Sequence, residues 1–582
     1  MKGTPAAVVA SVLLAAVALG LRLGPIEHGM PRGYVPDNHV VRCALGMAHD
    51  RDLVPPAGKY STYPYLVPYL LLPVYAGEYA VGKARGTWSS ADEFGARVME
   101  EPGRVQVPAR VLMALFGAAT AWAVFAAARA AGLHSGAWVA AWLSATCLLN
   151  VQLSTHERPW VAVVFFGALC LRSAVRFARK GRPAALLWSG VWAGLGFASH
   201  QAGLVLLALP ACAWLLAPLP WRAAGRRVTV GAACVALFVA VGLVCGHAYY
   251  LRHGAVAQEA VVGGALSADK VSIGGQAVAL GLSADSAKRL TGALFGYDPV
   301  LLVLGVLGLL AGAGRRSRAC PRAFGVVALG LLLIGGFFLF NPSDHVRYLL
   351  PVCLLLALPA GAFVERLAIL GPGSSAGDGA RAVLCAVLAL PLVQALRLDW
   401  VLRQPDSRAE AERVLAQLPP DSRIAIDHYG PTPDLSAAAL RRLERVRGEL
   451  YRREAHRLEQ LDAGLAGGVD AIGVEELFEV DPSTLQYVVR PAARSLGETP
   501  AEVLHALGVT HLLEVDRRPR PGGNSWLADL ARAGRTVAVI DPGPGPQPPR
   551  EAFLPTEMDF PLSGLWAVDR PGPWMRLVEL TP

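Results

Sequence analysis

The chain has 582 residues, 53% of them apolar and only 17% charged, with a formal net charge of +9. Soluble globular chains run near 25% charged, so the composition argues against a single soluble domain. Of the 54 basic residues only six are Lys, and most of the Arg sits in short loops between apolar runs, so the positive balance reflects topology and not a nucleic-acid-binding face.

In chain order the apolar runs lie at roughly 4–22, 107–128, 136–151, 159–176, 184–200, 202–219, 228–250, 296–314, 323–340, 348–367 and 382–399. Each is long enough to cross or nearly cross a hydrocarbon core of ~30 Å. The first run lacks a convincing cleavage site in ALGLRLG and reads as a retained helix and not as a signal peptide. Arg129, Arg172, Arg176, Arg179, Lys180, Arg182, Arg222, Arg226, Arg227, Arg315, Arg316, Arg318, Arg322, Arg366 and Arg381 fall in alternate loops. By the positive-inside rule those loops face the cytoplasm. About eleven spans then place the N-terminus inside and residues 401–582 outside, as expected of a multi-pass protein of a bacterial inner membrane.

Residues 60–82, YSTYPYLVPYLLLPVYAGEYAVG, are apolar but carry Pro64, Pro68 and Pro73 and six Tyr. Proline at that spacing breaks helices and tyrosine prefers the membrane boundary. The segment is therefore expected to be re-entrant or interfacial on the outer face, following a first outer loop at 23–59. After Trp400 the long apolar runs stop. Residues 401–582 read as a soluble mixed α/β domain, with a helix over 407–417, a strand over 423–427, one long charged helix within 435–466, and helix–strand pairs at 501–515 and 525–540. The predicted fold class is thus a polytopic α-helical membrane domain over 1–400 followed by an extracytoplasmic α/β domain. The nine Cys show no metal-ligand spacing and imply neither a disulfide framework nor a zinc site.

Ionisable residues near spans are costly, so their placement is informative. Asp37, His39, His49, Asp50 and Asp52 lie in the first outer loop; His156, Glu157 and Arg158 follow a span; His200 ends another; Asp344, His345 and Arg347 precede a later one. On this topology all face the same side, while span interiors are nearly free of charge. A coupled transporter places such groups near the midplane. Carboxylates and imidazoles at one interface suit an enzyme acting on a lipid-borne substrate: a carboxylate serves as general base on a hydroxyl and a guanidinium fork holds a leaving phosphate.

Four segments carry a resemblance: VPDNHVVRCALGMAHDRDLVPPAGKYSTYPYLVPYL, NVQLSTHERPWVAVVFF, DHVRYLLPVCLLLALPAG and PPDSRIAIDHYGPTP. In this order they resemble the GT-C membrane glycosyltransferases, in the branch of the protein O-mannosyltransferases and the lipid A aminoarabinose transferases. The resemblance implies an inverting transferase that takes a sugar from a polyprenyl-phosphate donor to an acceptor hydroxyl of a protein, lipid or glycan. It implies Asp37 as catalytic base, Glu157 as the second catalytic carboxylate, and Arg347 at the donor phosphate. His39, Tyr60, Tyr63, His156, His200 and Tyr348 are the expected substrate-binding residues around them. It admits a divalent cation, Mg or Mn, with Glu157 as ligand. Two departures stand out: Asn38 follows Asp37 where the family has Glu, and Glu157 stands where Asp is commoner. Two other readings stay open, a flippase or transporter of a lipid carrier and a non-catalytic envelope scaffold.

Overall fold

Nineteen residues with a single charge, PAAVVASVLLAAVALGLRL, form the first helix, α1 (Pro5–Leu23). The computed structural model describes residues 5–34, 38–56, 58–60, 63–218, 224–254, 270–273, 276–279, 281–312, 320–340, 346–369, 375–464, 467–480, 487–515, 525–543 and 560–580. Two compact units make up the chain. The first comprises Met1–Ile26, Asp37–Gly82 and Val105–Asp399, and the second Glu27–Pro36, Lys83–Arg104 and Trp400–Pro582.

In the first unit, α2 (His39–Asp50) stands in what was expected to be a loop; it is amphipathic and buries Val40, Val41, Cys43, Ala44 and Met47. The prolines of 60–82, expected to break helical structure, leave a continuous helix, α3 (Leu66–Ala84). Pro64 precedes it, Pro68 sits in its first turn where no amide bond is required, and only Pro73 lies inside.

Six helices among the described residues are long and apolar enough to cross a membrane: α5 (Gly103–Ala131), α8 (Trp160–Lys180), Gly225–Cys245, Pro321–Leu339, Val346–Leu367 and Arg381–Leu415. A further helix, α4 (Ala91–Glu100), belongs to the second unit. Two bent pairs raise the number of candidate spans to eight: α6 (Ser135–Thr146) with α7 (Leu148–Ser154), bent by 51°, and Ala284–Tyr297 with Pro299–Gly312, bent by 111°. Among the described residues, the eleven apolar runs thus include six to eight helices that pass by length and composition. The run at 136–151 breaks at Cys147, that at 184–200 makes only the seventeen-residue α9 (Pro183–Ser199), and that at 202–219 opens with a 3-10 turn, Gln201–Leu207.

Val346–Leu367 and α8 are the inner helices, 83% and 72% buried, whereas Gly225–Cys245 is 17% buried and presents Val228, Val235, Val239 and Val244 outward. Apolar side chains on the outside of an apolar bundle are what a lipid environment selects. Inside it, small residues let helices approach: a Cβ on Gly136 of α6 would strike the Gly361 carbonyl, and one on Gly361 the Gly136 carbonyl. β1 (Lys270–Ile273) and β2 (Gln276–Ala279) add an antiparallel hairpin.

The second unit is built on a five-stranded sheet in the order β4-β3-β7-β9-β8, comprising β3 (Ile424–Ile426), β4 (Ala471–Gly473), β7 (His511–Val515), β8 (Arg535–Ile540) and β9 (Met575–Glu579). β3 runs parallel to β4 and β7, and β9 antiparallel to β7 and β8. Both faces are covered. Ala425, Ile472, Leu512 and Val578 join one core with Leu477, Phe478 and Val503; Ile424, Ile426, Leu513 and Leu577 join the other with Ala411 and Leu415. A separate antiparallel pair consists of β5 (Phe478–Val480) and β6 (Tyr487–Val489). The single helix expected within 435–466 is two, Ala437–Arg447 and Arg452–Asp462. Gly448, at a φ of 86°, ends the first in a left-handed cap, and Glu454 restarts the chain by accepting the Tyr451 amide. Arg32 ties the Glu27–Pro36 segment into this unit, donating to both Asp434 oxygens at 2.8 and 2.9 Å and to Glu412 at 3.0 Å.

Candidate active site

Between α7 and α8 the chain reads Thr155-His156-Glu157-Arg158-Pro159. Its three ionisable side chains are all buried, at 0% exposure for His156 and Glu157 and 2% for Arg158. Taking such groups out of water is unfavourable unless each is compensated. For Glu157 the compensation is Arg110 of α5, whose Nε donates to Oε2 at 2.8 Å while Nη1 donates to the Ile26 carbonyl at 3.0 Å. One turn earlier, α7 presents Asn150 and Ser154 to Arg22. This fully buried guanidinium donates to Asn150 Oδ1 at 2.9 Å, to Ser154 Oγ at 3.2 Å and to the carbonyls of Ala18 and Ala145. Gly117 of α5 makes the room: a Cβ there would lie 2.7 Å from Arg22 Nε.

At the other end of the turn, Trp160 opens α8 and is the hub of an aromatic cluster. Its ring lies 4.0 Å from the His200 ring and 5.0 Å from that of Tyr348, and the Arg347 guanidinium stands 5.8 Å from its centroid. His200 continues to Tyr63 at 5.0 Å, and Tyr63 to His39 at 5.3 Å. Phe338 stacks on the far side of Tyr348 at 5.3 Å. His200 Nδ1 accepts the Ala202 amide at 3.0 Å, which puts the proton of the neutral ring on Nε2.

The structure therefore brings His39, Tyr63, His200, Arg347 and Tyr348 into one chain of contacts, and sets His156 beside Glu157 on the turn that leads to it. Tyr60 is held differently: its hydroxyl donates to Asp50, Lys59 stands 5.1 Å from its ring, and the ring packs over Gly46. Asp37 lies outside the described residues, as do Asp344 and His345. Sequence reasoning passed over Arg22, Arg110 and Trp160. The available signal was a lone Arg in the otherwise uncharged α1 and a Trp three residues beyond Glu157.

Mg and Mn are hard cations that prefer several oxygen ligands. Arg110 occupies Oε2 of Glu157, while the buried Oε1 carries no hydrogen bond among the described residues, so one carboxylate oxygen remains for such an ion. Among the described residues, the one group of three His, Cys, Asp or Glu side chains close enough to share an ion is Cys147, Asp298 and Cys353.

These features define a multi-pass helical membrane protein carrying an α/β domain and a buried ionic turn beside an aromatic cluster. Residues 94–245, which contain Arg110, Glu157, Trp160 and His200, match the family of dolichyl-phosphate-mannose-protein mannosyltransferases. In that stretch the chain is mannosyltransferase-like, in line with the GT-C resemblance of its motifs. Among solved structures it is similar to apo ArnT from Cupriavidus metallidurans, at 14% identity over 98% of each chain with a TM-score of 0.48. The same protein bound to undecaprenyl phosphate gives 14% identity over 98% and 97% of the two chains, at a TM-score of 0.43. The Archaeoglobus fulgidus oligosaccharyltransferase tethered to an acceptor peptide gives 11% identity over 87% of this chain and 69% of the other, at 0.47. No curated protein matches the chain in sequence.

Proposed function

We propose that the chain is an integral-membrane glycosyltransferase that moves a sugar from a polyprenyl-phosphate donor to an acceptor hydroxyl on the outer face of a bacterial inner membrane. The observation that carries this reading is the turn from Glu157 to Trp160, which sets a compensated carboxylate and an Arg347-bearing aromatic cluster three residues apart. It lies inside the segment that matches a family named for a donor of this class.

In this reading Asp37 takes the acceptor's proton, the acceptor oxygen attacks the anomeric carbon, and the bond from that carbon to the phosphate oxygen breaks with inversion. Polyprenyl phosphate leaves with its negative charge facing Arg347, whose fork suits phosphate oxygens. The faces of Trp160, Tyr63 and Tyr348 wall the sugar, and Glu157, fixed by Arg110, lends the site negative charge. The acceptor is a protein, lipid or glycan, and residues 401–582 form an extracytoplasmic domain next to the membrane domain in sequence.

The test is transfer from a panel of radiolabelled polyprenyl-phosphate sugars by the purified chain and its Asp37→Asn variant. The expected result is release of polyprenyl phosphate by the wild type and none by a variant that remains folded in detergent. Wild-type turnover in the variant removes Asp37 from its role. Movement of intact lipid-linked sugar across sealed vesicles without conversion replaces the transferase by a transporter.

A further inference from the structure

Cys147, Asp298 and Cys353 are far apart in the chain, the first two separated by 151 positions, and share no ligand spacing that a sequence pattern reveals. The fold gathers them from three different elements. Cys147 is the break between α6 and α7, Asp298 is the break between Ala284–Tyr297 and Pro299–Gly312, and Cys353 lies in the first turn of Leu350–Ile369. All three are buried, at 3–4% exposure. Their ligand atoms, two sulfurs and a carboxylate oxygen, lie within 4.8 Å of one another, and Cys147 Sγ stands 3.3 Å from Asp298 Oδ2.

We infer that these three side chains form a binding site for a soft divalent ion, zinc being the expected one, that ties two broken helices to a third. In a tetrahedral zinc site with Zn–S near 2.3 Å and Zn–O near 2.0–2.2 Å, neighbouring ligand atoms are roughly 3.5–3.8 Å apart. The observed spacing needs only small side-chain adjustments to match it. Two sulfurs select zinc over magnesium or calcium, whose preference is for oxygen. Asp298 is free to take part: Oδ1 accepts the Leu148 amide at 2.8 Å and Oδ2 the Leu149 amide at a longer 3.3 Å, and a carboxylate oxygen has lone pairs for a second partner. Binding deprotonates both thiols and releases their protons to solution. The resulting charge of two thiolates and one carboxylate exceeds that of the ion, and the two α7 amides that point at Asp298 offset the remainder. Three protein ligands leave a fourth position for water. Because α7 runs directly into the turn holding Glu157, the ion anchors the start of the helix that positions that turn.

The test uses the full-length protein in detergent, stripped with chelator, equilibrated with zinc or cobalt and freed of excess metal. The expected content is about one zinc per chain, held by the three side chains, and the cobalt form shows a thiolate-to-cobalt charge-transfer band. Both are lost in Cys147→Ser/Cys353→Ser and kept in Cys385→Ser, whose thiol is exposed. A folded wild type that retains no zinc, or a double variant that keeps both metal and band, overturns the assignment. Should the double variant fail to fold, the wild-type cobalt spectrum decides alone, since absence of the band excludes thiolate ligation. None of these readouts involves sugar transfer, so they stand or fall apart from the proposed reaction.

Discussion

Arg110 and Glu157 meet at 2.8 Å with neither side chain exposed to solvent. Removing one partner of such a pair leaves the other charge buried and uncompensated, at a cost of about 3–5 kcal/mol, while replacing both with uncharged groups is far milder. Arg110→Met and Glu157→Gln are each expected to lower the melting temperature strongly, and the double variant to recover most of the loss. Unfolding of the four proteins in one detergent checks this. Additive losses in the double variant would show that the pair is not energetically coupled.

Trp160 is the residue on which His200, Tyr348 and Arg347 converge. Aromatic contacts of this kind contribute about 0.5–1.5 kcal/mol each beyond the area they cover, and the cation over the ring adds a similar amount. Trp160→Ala is expected to raise the KM for the lipid-linked donor roughly tenfold or more, and Trp160→Phe to fall between it and the wild type. Donor titrations measure it, and an unchanged KM in Trp160→Ala would take the cluster out of the donor site.

Gly117 has Arg22 and Ser154 where a methyl group would go. Gly117→Ala is expected to destabilise the membrane unit by about 1–3 kcal/mol, the usual cost of overfilling a packed interior. Gly77, which has open space around its Cβ position, is the matched control. Equal thermal stability of Gly117→Ala and Gly77→Ala would contradict the packing described for Arg22.

In the second unit the Arg32 guanidinium, hydrogen-bonded to Asp434, holds that carboxyl below the usual aspartate range. A depressed carboxylate pKa contributes stability that is fully present above the unfolded value, about 3.9, and is lost as pH falls through the folded value. The melting-temperature gap between wild type and Asp434→Asn is therefore expected to be constant above about pH 5 and to close in more acidic solution. A gap that persists unchanged down to about pH 3 would assign the effect of the substitution to something other than this ion pair.

Much of this arrangement is legible from the residues alone, and the remainder is hidden for definite reasons. His156, Glu157 and Arg158 mark themselves as three ionisable groups at the end of an apolar run, and Arg347 and Tyr348 do so at another. The helix at Ser407–Leu415 and the strand at Ile424–Ile426 follow from local pattern. Arg110 is different, because its partner lies 47 residues away and a single Arg at the start of a span reads as a flanking charge. The thiols pair through tertiary folding and have no spacing to detect. β4, β5 and β6 are three residues each, too short for an alternating pattern, and β9 is specified by pairing with the distant β7 and with β8. Pro68 misled because proline in a first turn is tolerated while proline further in is not.

The amides that open α7 find their acceptor in Asp298, about 150 residues downstream. At a synthesis rate of about 5–20 residues per second, that carboxylate leaves the ribosome roughly 8–30 seconds after the helix it caps. The contact that caps α7, the helix leading into the Glu157 turn, therefore forms only after six later α-helices among the described residues have been made.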